Sequence, residues 1–286
     1  MSYAHPEYLI SPAELAADLD SRRILDVTVL FEPTPEGGFG IESGLAQFNE
    51  GHIPGALFLD LIQDASDPSA DVGFSLPPVA QLERLLARLG VSNDTEVVLY
   101  SGGHIMWATR AWWLPRYCGL KRVRVLNGGL EAWRDGGYPL STAAASYPEG
   151  NFKATPDPAL FADKDAVLGA IGDDSVRTIN ALPAELHSGE ADLGFGRKGH
   201  IAQSINLPYD DLLDGGRFKD GAALREALNA KGLLSSTGVI TYCALGISAT
   251  IDAFACLLCG KDEVAVYDGS LTEWAGNESL PMETGP

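Results

Sequence analysis

The second half of this 286-residue chain repeats the first. Val97-Val-Leu-Tyr100-Ser101 is matched by Val239-Ile-Thr-Tyr242-Cys243. Upstream, Gly51-His52-Ile53 is matched by Gly199-His200-Ile201. Downstream, Val125-Leu-Asn-Gly128-Gly-Leu130-Glu-Ala-Trp133 is matched by Val266-Tyr-Asp-Gly269-Ser-Leu271-Thr-Glu-Trp274. Matches that keep their order over so long an interval indicate a duplicated domain, each copy long enough to enclose a core, rather than a short-period solenoid. The chain divides into a first domain, 1–140, a linker, 141–158, and a second domain, 159–286. The linker holds small residues, prolines and a glycine without periodicity.

Within each copy, short continuous apolar runs alternate with helical patterns. The runs are Ile24–Val27, Ala56–Leu59, Glu96–Tyr100 and Arg122–Leu126, then Val176–Ala181, Ser204–Leu207, Val239–Tyr242 and Val264–Tyr267. Ser11-Pro12-Ala-Glu14 is a capping box with proline at the first helical position, and opens a helix through Leu19. Further helices are expected at Gln81–Leu89, Met106–Tyr117, Asp165–Ile171, Ala222–Lys231 and Ala249–Leu258. Glu32 to Gln47, rich in glycine and proline, reads as a loop, as does the stretch from Leu182 to Gly199. This order predicts an α/β fold with a parallel sheet flanked by helices in each half. Trp107, Trp112 and Trp113 are assigned to core packing.

An apolar content of 45% suffices for two cores. No apolar run reaches the length of a membrane span, and the first residues lack a basic stretch followed by an apolar one. The expectation is a cytoplasmic protein with no membrane partner. A formal net charge of −19 argues against nucleic acid, whose phosphates require a basic surface. The cysteines, Cys118, Cys243, Cys256 and Cys259, do not form a secreted disulfide framework. Cys256 and Cys259 lie in an apolar helical run and read as small buried hydrophobes. They lack further ligands for zinc, so no metal or other cofactor is expected.

Cys243 is different. It stands between an apolar strand and a helix, at the carboxyl end of a strand, where ligands bind in such sheets. A thiol there faces free backbone N–H groups, which together with the helix dipole favour a thiolate and an anion bound beside it. Gly246 can adopt backbone angles closed to other residues. The loop formed by Ala244, Leu245, Gly246, Ile247, Ser248 and Ala249 is thus read as an anion nest. Ser101 occupies the place of Cys243 in the first copy, without a nearby base, so that copy is read as degenerate and as one wall of the cleft. A phosphatase loop would need an arginine six residues after the cysteine, where Ala249 stands.

On these residues the chain resembles the rhodanese family, and specifically the tandem-domain sulfurtransferases. The carriers are the Cys243–Gly246–Ala249 loop, the paired Gly-His-Ile segments, the segments ending in Trp133 and Trp274, and the Trp112–Trp113 pair. The resemblance implies two tandem rhodanese-like domains. It also implies transfer of sulfane sulfur from a small anionic donor, thiosulfate or 3-mercaptopyruvate, through a Cys243 persulfide to cyanide or a thiol.

The chain departs from the family where substrates are gripped. Thiosulfate-preferring members carry basic loop residues, where this chain has Ala244 and Leu245. Mercaptopyruvate-preferring members have a serine in place of Leu245, relayed to an Asp and a His for which this chain has Ile62 and Phe74. A family arginine is replaced by Leu186. Arg197 resembles the family's arginine for a carboxylate or sulfonate, a role suited to its planar fork. Lys198 is assigned to the surface, His200 to holding a turn, and His104 to a structural place near the cleft. The leading expectation is a sulfurtransferase, and the alternative is a persulfide carrier with little turnover of small donors.

Overall fold

The computed structural model describes residues 2–33 and 39–286. Each half builds a five-stranded parallel sheet. In the first, the order is Leu57–Phe58, Arg22–Asp26, Glu96–Tyr100, Val123–Leu126 and Leu9–Ile10. In the second it is Ile205–Asn206, Val176–Asn180, Gly238–Tyr242, Val264–Tyr267 and Phe161–Ala162. The two orders correspond strand for strand. Both central strands are buried from their second residue onward. Helices cover both faces of a parallel sheet, which is why these strands read as unbroken apolar runs.

The repeated sequence segments are the ones that tie each unit together. The Tyr100 hydroxyl accepts a hydrogen bond from the Ile53 N–H at 3.2 Å, and Tyr242 accepts one from Ile201 at 3.1 Å. The indoles of Trp133 and Trp274 donate to the carbonyls of Pro139 and Pro281. The carbonyls of Ser101 and Cys243 accept from the N–H groups of Leu130 and Leu271, each at 3.0 Å. Duplication is therefore visible at the level of single hydrogen bonds.

The halves meet through the helices that follow their central strands, Met106–Tyr117 and Ala249–Leu258. The hydroxyls of Thr109 and Thr250 lie 2.7 Å apart across this seam, and Trp112 packs edge-on to Phe254. One core cluster runs through both halves. Trp107, Trp112 and Trp113 are buried in it, as expected.

Residues 141–158 contain no helix or sheet strand before the 3-10 turn Pro158–Leu160, and they pack along the first half. The Gly150 N–H donates to the Ala87 carbonyl, the Tyr147 hydroxyl donates to the Gly55 carbonyl, and Phe152 is buried. Two expected loops hold regular structure. In Glu32–Gln47, residues 39–43 pair with Val29–Pro33 as an antiparallel hairpin, and Leu45 begins the helix Leu45–Glu50. Residues 34–38 of that stretch lie outside the described residues. Its glycine and proline content hides the period-two alternation of Phe39-Gly-Ile41-Glu-Ser43. Within Leu182–Gly199, a short helix spans Ala184–Ser188 and ends at Gly189, in a left-handed conformation. Among the described residues no helix is long and apolar enough to cross a membrane.

Candidate active site

Cys243 follows directly on the central strand of the second half and is 2% exposed. Its N–H donates to the Ser270 hydroxyl at 3.2 Å, and that hydroxyl donates to the Tyr267 carbonyl at 2.8 Å. The Ala244 carbonyl accepts from both the N–H and the hydroxyl of Thr272, at 3.1 and 2.8 Å. With the Leu271 bond described above, these contacts clamp the cysteine to the start of the helix Ser270–Ala275. Ser270 adopts φ +50°, a left-handed angle uncommon outside glycine, and is fully buried.

Residues 244–248 then arc into the helix Ala249–Leu258. None of the N–H groups of residues 244–249 donates to another described residue. Gly246 closes the arc at φ +70°, and a Cβ there would lie 2.8 Å from the Asp268 carbonyl. Consecutive unpartnered N–H groups next to a thiol, continued by a helix N-terminus, favour negative charge nearby. Of the loop side chains, Ala244 and Leu245 are partly exposed, whereas Ile247, Ser248 and Ala249 are buried.

The first half holds this loop from the other side. Arg110, 1% exposed, reaches across the seam from the helix Met106–Tyr117. Its Nη1 lies 2.7 Å from Asp268 Oδ1 and 3.4 Å from the Gly246 carbonyl, and its Nη2 donates to the Phe74 carbonyl. The other Asp268 oxygen accepts the Leu76 N–H at 2.7 Å. Ser101 stands where the alignment of the copies puts it, but its hydroxyl accepts the Gly103 N–H at 3.0 Å. A groove of about 1010 Å³ passes between the halves behind this clamp, lined by Leu76, Phe161, Asp268 and Thr272. Cys243 does not line that groove.

Arg197 is not placed as expected. Its guanidinium donates to the carbonyls of Trp274, Ala275, Asn277 and Leu280, at 2.6–3.2 Å. It fastens the end of the helix whose start clamps Cys243, which is favourable for a cation at a helix C-terminus. A fork filled by four carbonyls is not free to grip a donor anion. Leu186 packs against the core, and Phe74 is buried with its ring against Trp107, so neither offers a polar group. Ile62 is half-buried and apolar. Lys198 is half exposed, 3.6 Å from Asp192. His200 is buried, its Nδ1 2.8 Å from the His187 carbonyl, and holds its turn as expected.

Four residues near the thiol were not singled out from the sequence: Arg110, Asp268, Tyr209 and Asp252. The signal for two of them was present, since Arg110 and Asp252 are charged residues inside apolar helical runs. Asp252 is fully buried and neither carboxylate oxygen has a partner. Burial, and then the charges of Cys243 and Asp211, hold its carboxyl well above the ordinary range, which favours the neutral form. Burial, followed by Asp210 and Cys243, also raises the Tyr209 phenol. Cys256 and Cys259 are buried free thiols, both pushed up by burial.

The family described as Rhodanese-like domain matches residues 11–135 and 174–277. The thiosulfate sulfurtransferase of Gallus gallus is 36% identical over 232 residues, covering 80% of each chain. The 3-mercaptopyruvate sulfurtransferase of Escherichia coli strain K12 is 31% identical over 240 residues, covering 83% of this chain and 85% of its own. The crystal structure of SseA from Escherichia coli, a 3-mercaptopyruvate sulfotransferase, superposes with a TM-score of 0.82 at 28% identity. That superposition covers 92% of this chain and 98% of SseA.

Proposed function

This chain belongs to the rhodanese family, and on that premise we propose that it is a sulfurtransferase whose sulfur-carrying nucleophile is Cys243. The observation that carries the reading is the buried thiol followed directly by a run of unpartnered N–H groups that leads into a helix. In the first step the Cys243 thiolate attacks the transferable sulfur of the donor. With thiosulfate, the bond between the two sulfurs breaks, its electron pair leaves on sulfite, and a Cys243 persulfide anion remains. With 3-mercaptopyruvate, the carbon–sulfur bond breaks, the thiol proton ends on carbon, and pyruvate leaves. In the second step cyanide or a thiolate attacks the outer sulfur, and the electron pair of the sulfur–sulfur bond returns to Cys243. The N–H arc stabilises the anion in both resting forms, on Sγ before the first step and on the outer sulfur after it. No oxidant or cofactor enters this balance.

The test is the intact mass after incubation with thiosulfate and, separately, with 3-mercaptopyruvate, repeated on Cys243→Ser. A gain of about one sulfur atom, lost in the variant, is the expected result for covalent sulfur transfer, and the productive donor names the substrate. No gain with either donor would overturn the small-donor reading and leave a carrier loaded by another protein.

A further inference from the structure

A sulfur donor of either class carries an oxyanion head close to its transferable sulfur, a sulfonate or a carboxylate. The positions from which relatives grip that head are apolar or occupied here. Ala244, Leu245 and Leu186 have no donor, Arg197 is filled by carbonyls, and Arg110 is buried against Asp268. An acidic chain of net charge −19 must still present donors to an anion entering its cleft.

Two donors meet at the seam, one from each half, and one of them, Tyr209, lies within electrostatic reach of the thiol. Tyr209 begins the 3-10 turn Tyr209–Leu212, which packs on the helix that follows the Cys243 loop. Its N–H donates to the Ala181 carbonyl, and the Ala181 N–H donates to the carbonyl of Tyr242, the residue before the cysteine. Among the described residues its hydroxyl makes no hydrogen bond. His104 comes from the first half, in the loop between Ser101 and the helix Met106–Tyr117, and meets the Tyr209 ring edge-on with centroids 5.4 Å apart. Its Nδ1 accepts the Met106 N–H at 3.1 Å. That bond fixes the tautomer and places the proton on Nε2. Nε2 faces Asp210 Oδ1 at 3.8 Å, longer than an ordinary hydrogen bond, so this weak contact leaves the N–H able to turn to a closer acceptor. Both side chains are partly exposed, unlike the buried Cys243.

We propose that His104 Nε2–H and Tyr209 Oη–H form a binding subsite for the oxyanion head of the sulfur donor, assembled across the two halves in place of the family's arginines. The choice of ligand rests on the sulfurtransferase reading, while the subsite itself does not. Burial keeps His104 on the neutral side, so the pair binds by hydrogen bonding rather than by full charge. Exposed Asp210, facing the same imidazole, opposes the anion. This arrangement favours a donor with a single negative charge over a dianion.

Alkylation of Cys243 by iodoacetate and by iodoacetamide tests the subsite without requiring sulfur transfer. Both reagents present the same reactive carbon, and only iodoacetate carries a carboxylate. Followed by intact mass on the full chain, His104→Ala and Tyr209→Phe should each slow iodoacetate by about tenfold and leave iodoacetamide within about twofold, as for loss of one hydrogen bond to a charged group. His104→Gln, which keeps an N–H donor, should recover most of the iodoacetate rate, and Asp210→Asn should raise it. In donor assays the same variants should raise KM rather than lower kcat, and the donor affected shows whether a sulfonate or a carboxylate is held. Equal slowing of both reagents, or slowing of neither, overturns the subsite. Iodoacetate selectivity in a protein that forms no persulfide keeps the subsite and removes the sulfurtransferase reading. Persulfide formation without that selectivity removes the subsite alone.

Discussion

At the scale of single residues, the site sets two acids against each other. A thiolate at Cys243 and a carboxylate at Asp252 would both be negative in one buried place, and the N–H arc serves the sulfur only. Asp252 therefore stays protonated in the fold, while in the unfolded chain it ionises near its ordinary 3.8. A group whose folded pKa is raised contributes fully to stability below the unfolded value, and its contribution is lost as pH rises above it. Asp252→Asn removes the titration and keeps the shape. The variant should gain stability relative to the wild type as pH rises from about 4 to 8, by at most about 1.4 kcal/mol for each pH unit. Urea midpoints at those two pH values measure it. A difference independent of pH would mean that Asp252 ionises in the fold.

At the scale of elements, the duplicated corner at the Gly-His-Ile segments shows one architecture with two stacking partners, Phe48 in the first copy and His187 in the second. In the first half His52 stacks on Phe48 at 4.0 Å and its Nδ1 bonds the Phe48 carbonyl. In the second, His200 stacks on His187 at 3.7 Å and bonds the His187 carbonyl in the same way. Burial, reinforced by His200 and Lys231, lowers His187 from 6.5 to about 4. The unfolded chain takes up a proton that the fold refuses, so stability falls as pH drops through that window. His187→Phe, the residue already used by the other copy, should flatten this acid arm, seen as a smaller change in urea midpoint between pH 7 and pH 4.5. An unchanged slope would show that His187 protonates freely in the fold. The same comparison explains what the sequence could reveal. Glu96–Tyr100 and Gly238–Tyr242 are legible because burial on both faces makes them continuously apolar. The edge strands Leu9–Ile10 and Phe161–Ala162 are two residues each and carry no periodicity to read. Cys243 and its glycine announce themselves through local chemistry. The fate of Arg197 depends on carbonyls almost eighty residues away, and that of Arg110 on the packing of one half against the other.

At the scale of the whole molecule, the half without Cys243 is a structural requirement of the half that has it. Arg110 joins Asp268, the Phe74 carbonyl and the Gly246 carbonyl, so one guanidinium ties the first half to the turn and the loop on both sides of Cys243. The Thr109–Thr250 hydrogen bond and the packing of Trp112 on Phe254 continue the same seam, and the core runs through it without a break. The two halves should therefore unfold together. Arg110→Met keeps the apolar stem and deletes the charge, leaving Asp268, 19% exposed, without its cation. Breaking a buried pair by removing one partner costs about 3–5 kcal/mol, and the partial exposure of Asp268 points to the lower end. Because the loss falls on the seam rather than on either core, the variant should split the single urea transition into two. Arg110→Met/Asp268→Asn, which removes the stranded charge as well, should recover much of the loss and rejoin the transitions. A single transition in Arg110→Met at the wild-type midpoint would show that the apolar seam alone couples the halves, with Arg110 serving only to orient the loop around Cys243.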